Sequence, residues 1–225
     1  MNIVSLIGSN RGEKSTSASM VNYLAQQLVP QGIPVSNHYA VRMYHQPHAQ
    51  AVFLQELQES VLLIVSSPVY VDFLPAPLIH VLEGVRERMG RNGLEGRKIL
   101  AIIHSGYPEP QQRRPSLEMC RCFAREMGME WWGGLSFGGT SPISGQSLEA
   151  MGGMTKGIRS VLNQTVEKIV KGGLTGVETL ALEDRSTIPL SPWLVKLMMN
   201  AMIRNNAKKS GIKDLKARPY GVKGK

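Results

Sequence analysis

Three stretches of the chain are short, continuous and apolar, which is the pattern of strands buried on both faces of a parallel sheet. They are residues 2–7, 61–66 and 98–104, and the weaker runs 33–40 and 129–135 fit two further strands. Between these runs, apolar residues recur at helical spacing and predict helices over about 18–28, 51–59, 75–88, 116–127 and 158–171. Strand and helix alternate five times, so the pattern predicts an α/β fold with a doubly wound parallel sheet.

The segment that joins the first strand to the first helix is rich in groups that bind anions. It runs from Gly8 to Ser17 (GSNRGEKSTS) and combines glycines, hydroxyls and the cations Arg11 and Lys14. Backbone N–H groups and the dipole of the following helix favour an anion there, and phosphate is the anion that we expect. The spacing matches neither the P-loop nor the dinucleotide fingerprint. The same residues are equally typical of a helix-capping cluster that binds no ligand.

Two later strands also run into irregular loops. The strand at 61–66 is followed by Ser67–Pro77, which contains Tyr70 and Phe73, and the strand at 98–104 is followed by Ser105–Gln112. With the strand order 2-1-3-4-5, we expect these loops and the first one to meet at the switch point of the sheet, where α/β folds bind planar ligands. The alternative is that the aromatic side chains only cover the end of the sheet.

The net charge of +9 is concentrated in one part of the chain. Residues 191–225 contain nine Lys or Arg and one Asp, a net +8, which leaves +1 for residues 1–190. Nucleic-acid binding favours aromatic residues between the cations, and after Trp193 this tail contains only Tyr220. We therefore expect the basic charge to belong to a solvated tail, and we do not expect a nucleic-acid partner.

Cysteine and histidine usage argues against a metal centre. Cys120 and Cys122 are two residues apart on a predicted helix, so they point in different directions, and no thiol or carboxylate pattern accompanies His38, His45 and His48. A chain with two cysteines and no disulfide framework fits a reducing compartment. Because the first strand begins at once and no apolar run reaches membrane-spanning length, we expect a cytoplasmic protein.

The three loops together resemble the NADPH-dependent FMN reductase family. The resemblance is carried by Gly8-Ser9-x-Arg11-Gly12-x-x-Ser15-x-Ser17, Ser67-Pro68-Val69-Tyr70-x-x-x-x-Pro75-Ala76-Pro77 and Ser105-Gly106-Tyr107-Pro108-Glu109-Pro110. It covers roughly residues 1–175 and implies a flavodoxin-like, five-stranded parallel sheet. It also implies non-covalent FMN as cofactor and NADPH or NADH as reductant.

The resemblance places the FMN phosphate on the first loop and the isoalloxazine ring between the second and third. It implies these cofactor-binding residues: Ser9, Asn10, Arg11, Ser15, Thr16 and Ser17; Pro68, Val69, Tyr70, Val71 and Asp72; Ser105, Gly106 and Tyr107. Because the flavin carries the chemistry, we assign no catalytic side chain and no metal. Trp132 is a further candidate to stack on the ring.

The chain departs from the family at two places. Asn10 stands where the family usually has a proline, a change that leaves the backbone N–H able to donate. Residues 41–60 contain no cysteine, so the four-cysteine iron–sulfur cluster of some relatives cannot be built from one subunit. The expected function is reduction by NAD(P)H of a small acceptor, such as a quinone or free flavin. The alternative is a flavodoxin-like electron carrier that depends on a separate reductase.

The C-terminal part, residues 176–225, reads as an extension of the domain formed by 1–175. Residues 183–189 read as a polar linker, and residues 191–209 as a helix that is apolar nearly all round except for Lys196, Asn200 and Arg204. Such a helix needs cover. We expect it to pack on a partner subunit in a dimer or tetramer; packing on its own domain or lying on a membrane surface are the alternatives.

Overall fold

The computed structural model describes residues 2–171, 180–186, 192–212 and 214–215. Its sheet has the strand order β2-β1-β3-β4-β5-β6, and all neighbouring strands are parallel. The strands are β1 Ile3–Ile7, β2 Val35–Tyr39, β3 Leu62–Pro68, β4 Lys98–His104, β5 Glu130–Gly138 and β6 Leu180–Ser186. The predicted doubly wound sheet of order 2-1-3-4-5, the flavodoxin-like order, is confirmed, and a sixth strand extends it at the β5 edge.

Helices cover both faces of the sheet. They are α1 Thr16–Leu28, α2 Ala40–His45, α3 Pro47–Glu59, α4 Ala76–Met89, α5 Arg114–Glu126 and α6 Lys156–Val170. A further helix, α7 Pro192–Lys209, follows β6 along the chain. Successive residues of β3 point to opposite faces, so Leu62 and Ile64 lie in the core under α1 and α6, while Leu63 and Val65 lie in the core under α2–α5. The sheet therefore separates two apolar cores, as its uninterrupted apolar strands require.

Three boundaries differ from the prediction. Residues 44, 45, 47 and 48, which lie before the helix predicted at 51–59, are helical, because α2 continues to His45 and Pro47 opens α3 at the first-turn position that suits proline. Strand β5 continues to Gly138, three residues beyond the predicted end of this strand at 135. Part of the predicted polar linker, residues 183–186, pairs with β5 in the edge strand β6.

The chain forms two compact units, Met1–Ile188 and Pro189–Lys225. The predicted boundary near residue 175 remains a proposal. The second unit contains α7, on which Trp193, Leu197, Met198, Met202 and Ile203 are exposed. Its use as a subunit interface also remains a prediction. Among the described helices, none has the length and apolar character needed to cross a membrane.

Candidate functional site

The first loop closes with a capped helix. Ser15 has an extended backbone (φ −112°, ψ 155°), and its Oγ accepts a hydrogen bond of 3.1 Å from the N–H of Ala18. The same hydroxyl donates to the carbonyl of Gly12 at 2.6 Å. The predicted capping therefore exists, and it fixes the hydroxyl of Ser15.

Capping leaves donors free at the start of α1. The N–H groups of Thr16 and Ser17, the first two residues of the helix, donate to no acceptor within the described part of the chain. Both residues are buried, and N–H groups at this position point out of the helix end. Buried donors without a partner are costly, and the positive end of the helix dipole adds to their attraction for an anion. The first loop therefore fits a phosphate.

Close packing brings the first loop against the second. Gly8 donates its N–H to the carbonyl of Ser66 at 2.8 Å. A Cβ on Gly8 would lie 2.6 Å from Leu78 Cδ2 and 2.8 Å from Ser67 Oγ. Only glycine allows this approach of β1 to the end of β3.

The second loop has a strained and exposed tip. Tyr70 and Phe73 exchange backbone hydrogen bonds of 2.9 and 3.2 Å across a two-residue turn. Val71 and Asp72 in that turn have φ of +52° and +66°, and Val71 is 91% exposed. A β-branched residue in the left-handed region is strained, and such strain concentrates at functional sites. Tyr70 and Phe73 are also exposed, so the tip offers apolar surface at the carboxyl edge of the sheet.

The third loop is folded around one buried cation. Arg113 Nη1 donates to Ser105 Oγ at 2.8 Å and to the carbonyls of Tyr107 and Glu109 at 3.3 and 3.1 Å. Its Nε donates to Ser136 Oγ on β5 at 2.7 Å. Charge-assisted hydrogen bonds of this kind are strong, so Arg113 determines the path of residues 105–109.

His104 joins the loops at the end of β4. It is buried, and its Nε2 lies 2.8 Å from Ser17 Oγ while its Nδ1 lies 3.0 Å from Thr140 Oγ1. Its carbonyl accepts the N–H of Val69 at 2.9 Å. Burial, with a smaller contribution from the charge of Arg113, lowers the pKa of His104 to about 3. A neutral imidazole thus ties the first loop, the second loop and the segment after β5 together.

The segment after β5, residues 139–155, lies against the first loop. Arg11 donates through Nη1 and Nη2 to the hydroxyl and carbonyl of Ser144, at 3.3 and 3.2 Å. Gly145 has φ of +85°, and a Cβ there would lie 2.4 Å from the carbonyl oxygen of Lys14. Because the obstacle is backbone, only glycine at 145 permits this contact.

Gly145→Ala is expected to separate residues 139–155 from the first loop. The positive φ and the clash with the Lys14 carbonyl both disfavour an alanine at this position. We therefore expect the free energy of unfolding to fall by about 2 kcal/mol and amide hydrogen exchange in residues 139–155 to become faster. Gly153→Ala is the matched control, because a Cβ at Gly153 meets nothing within 4 Å. Equal exchange rates in the two variants would contradict the contact.

The structure brings the three predicted groups of residues to one edge of the sheet. In the first group, Asn10 and Arg11 are exposed, whereas Ser9, Ser15, Thr16 and Ser17 are buried, and the hydroxyl of Ser17 is hydrogen-bonded to His104. In the second, Pro68 is buried and Val69 is half-buried at the end of β3, whereas Tyr70, Val71 and Asp72 are exposed. In the third, Ser105 is buried, Gly106 is half-buried and Tyr107 is exposed. Their contacts with the cofactor remain proposals.

Sequence reasoning missed several residues and misplaced one. Arg113, His104, Thr140 and Ser144 were not predicted, although the position of His104 at the end of a buried strand was a usable signal. Trp132 is 1% exposed and belongs to the core. It offers no surface to a ligand, so the prediction that it stacks on the flavin is wrong.

Comparison with protein families identifies the family of this chain. The family model described as NADPH-dependent FMN reductase matches residues 1–129, which include all three loops. The chain belongs to this family. It is therefore an FMN-dependent oxidoreductase with FMN as its cofactor, and the unpartnered N–H groups of α1 fit the phosphate of that cofactor. A comparison with curated protein sequences gives no match.

Solved structures of family-like proteins have the same fold at low sequence identity. The apo form of the NADH:FMN oxidoreductase EMOB is 15% identical, with a TM-score of 0.59 over 76% of this chain and 89% of that one. A quinone reductase from Klebsiella pneumoniae is 12% identical, with a TM-score of 0.57 over 75% and 85%. RosB, solved with 8-demethyl-8-formylriboflavin-5′-phosphate, is 10% identical, with a TM-score of 0.55 over 100% and 92%. At these identities the likeness concerns the fold alone.

Proposed function

We propose that this FMN reductase takes a hydride from NADPH or NADH and passes the electrons to a small acceptor, such as a quinone or free flavin. The observation that carries the proposal is the convergence of the loops at His104, which contacts the first loop through Ser17, the second through Val69 and the segment after β5 through Thr140. The first two of these loops follow β1 and β3, the neighbouring strands that form the switch point of the sheet, where doubly wound folds bind nucleotides. The EMOB and quinone-reductase structures share this sheet.

In this proposal the chain binds, orients and shields the cofactor. FMN, when bound, supplies the redox chemistry by accepting a hydride equivalent and releasing electrons to an acceptor. The N–H groups of Thr16 and Ser17 and the guanidinium of Arg11 hold the phosphate. The second and third loops flank the ring, with Tyr70 and Tyr107 covering it. Asn10, Val71 and Asp72 complete the set of contacts that we propose.

Arg11→Ala is expected to weaken FMN binding. One charge-assisted hydrogen bond is worth about 1–3 kcal/mol, so the dissociation constant should rise about 5- to 100-fold. Fluorescence titration of the apoprotein with FMN measures it. Arg91→Ala is the control, because Arg91 is exposed and its ion-pair partner is Glu126, away from the loops. An unchanged FMN affinity in Arg11→Ala would remove Arg11 from the site.

An electron carrier is the second candidate, and the exposed apolar tip of the second loop favours it. Tyr70, Val71 and Phe73 are exposed side by side, as a protein-docking surface would require. NADPH oxidation by the purified FMN-loaded chain alone, with a quinone as acceptor, separates the two functions. Turnover supports the reductase. Turnover only after addition of a second reductase protein supports the carrier.

We further propose a cytoplasmic homo-oligomer. The free thiols of Cys120 and Cys122 are consistent with a reducing compartment. The exposed apolar residues of α7 support self-association.

A further inference from the structure

A small cavity lies between the first loop and the end of β2. Its volume is about 290 Å³. One wall is formed by Arg11, Gly12, Glu13 and Lys14, and the other by Tyr39, Val41 and Arg42. Ser15, Thr16 and Ser17 do not line it, so it is separate from the N–H groups that we assign to the FMN phosphate. The first loop thus presents two different surfaces to anions.

The cavity has an excess of positive charge. Three cations line it, and the one carboxylate that lines it, Glu13, lies 3.1 Å from Arg42 Nη2. Within the described residues, neither Arg11 nor Lys14 forms an ion pair with a carboxylate. Arg11 is already assigned to the FMN phosphate, so Lys14 is left to attract a second anionic group, and Arg42 joins it when its pairing with Glu13 is broken.

An aromatic ring adds a surface for a base. The guanidinium of Arg42 lies 5.6 Å from the centroid of the Tyr39 ring, and Tyr39 is half-buried. This contact holds the planar guanidinium against the ring, and guanidinium groups bind phosphates through paired N–H donors. A phosphate attached to an adenosine fits this combination of cations and aromatic surface better than a free inorganic ion does.

We propose that this cavity binds the 2′-phosphate of NADPH and gives the enzyme its preference for NADPH over NADH. The proposal rests on the proposed function, because it assigns one end of the dinucleotide whose other end reduces the flavin. Lys14 and Arg42 bind the 2′-phosphate, and Tyr39 contacts the adenosine. Glu13 opposes binding, because its carboxylate repels the phosphate and competes for Arg42.

Substitutions of Glu13 and Arg42 test the proposal, because they should change KM for NADPH in opposite directions. Arg42→Gln should raise KM for NADPH about tenfold, the loss expected for one partly solvated charge-assisted bond, and should leave KM for NADH unchanged. Glu13→Gln breaks the same ion pair but should lower KM for NADPH, by about threefold, because it removes a like charge and frees Arg42. Lys14→Gln should act like Arg42→Gln, and Arg91→Gln should change neither KM.

A binding measurement without turnover provides the second readout. Adenosine 2′,5′-bisphosphate carries the 2′-phosphate, whereas 5′-AMP lacks it, and each can be titrated calorimetrically into the FMN-loaded protein. The wild type should bind the bisphosphate about tenfold more tightly than 5′-AMP. Arg42→Gln should abolish this difference, and Glu13→Gln should increase it.

The outcomes separate this inference from the proposed function. If NADH and NADPH reduce the flavin with equal efficiency in the wild type and in Arg42→Gln, the 2′-phosphate site is wrong and the reductase stands. If Arg42→Gln and Glu13→Gln change KM in the same direction, the ion pair has only a structural role and the inference is also overturned. If neither dinucleotide reduces the flavin but adenosine 2′,5′-bisphosphate still binds through Arg42, the reductase proposal fails while the anion site remains.

Discussion

Arg113→Gln is expected to lower the free energy of unfolding by about 3 kcal/mol and to weaken FMN binding. The guanidinium of Arg113 is 1% exposed and donates to Ser105 Oγ, to Ser136 Oγ and to carbonyls of residues 107–109. The variant removes one donor from the buried hydroxyls of Ser105 and Ser136 and from the part-buried carbonyls of residues 107–109. Each lost bond that water does not replace costs about 1–3 kcal/mol. Because most of these acceptors belong to the third loop, its conformation should change, and the contacts that we propose between this loop and the flavin should weaken.

Chemical denaturation measures the stability, and titration with FMN measures the binding. Arg114→Gln is the matched control, since Arg114 is the next residue along the chain, has the same charge and is exposed. We expect Arg114→Gln to stay within about 0.5 kcal/mol of the wild type, as surface substitutions do. If Arg113→Gln is as stable as Arg114→Gln, the third loop does not depend on Arg113.

The second large effect is a dependence of stability on pH that arises from His104. Burial lowers its pKa to about 3 in the folded protein, whereas an unfolded histidine has a pKa of about 6.5. Between these values the unfolded chain binds a proton that the folded chain does not. The contribution of His104 is therefore constant above about pH 6.5 and becomes progressively destabilising as the pH falls toward 3. Between pH 7.5 and pH 5 it should lower the unfolding free energy by about 2 kcal/mol.

The test compares the pH dependence of unfolding in the wild type and in His104→Gln. We expect the variant to be less stable at pH 7.5, because the bonds to Ser17 and Thr140 are altered, but to lose about 2 kcal/mol less than the wild type on going to pH 5. His48→Gln is the control, since His48 is exposed, and it should keep the wild-type pH dependence. Parallel curves for the wild type and His104→Gln would show that His104 does not remain neutral in the folded protein.

The arrangement of the sheet could be predicted from the sequence because its signals are local. Residues 61–65 are all apolar, which is the composition of a strand covered on both faces. The strand β6 lacked this signal. Residues 183–185 are Glu-Asp-Arg, and an edge strand with one neighbour tolerates such charges, so a polar stretch was read as linker.

The position of the three loops was also predictable from the sequence, whereas the hydrogen bonds that hold them together were not. The loop after each buried strand could be placed at the carboxyl edge, because all parallel strands end there. The bond between Ser17 and His104 joins residues 87 positions apart, and that between His104 and Thr140 joins residues 36 apart. The periodicity of the sequence gives no indication of hydrogen bonds between residues so far apart along the chain. Arg113 was missed for the same reason, since its role depends on the path of the loop whose hydroxyl and carbonyl groups it contacts.

We propose that the three loops form an FMN site at which NADPH reduces the cofactor directly. The most direct measurement is the absorbance spectrum of the FMN-loaded protein, recorded without oxygen before and after addition of NADPH. We predict that the flavin bands fade within the time of mixing and return when a quinone is added. Bands that persist in excess NADPH and excess NADH would contradict direct reduction, and a protein that takes up no FMN would contradict the site itself.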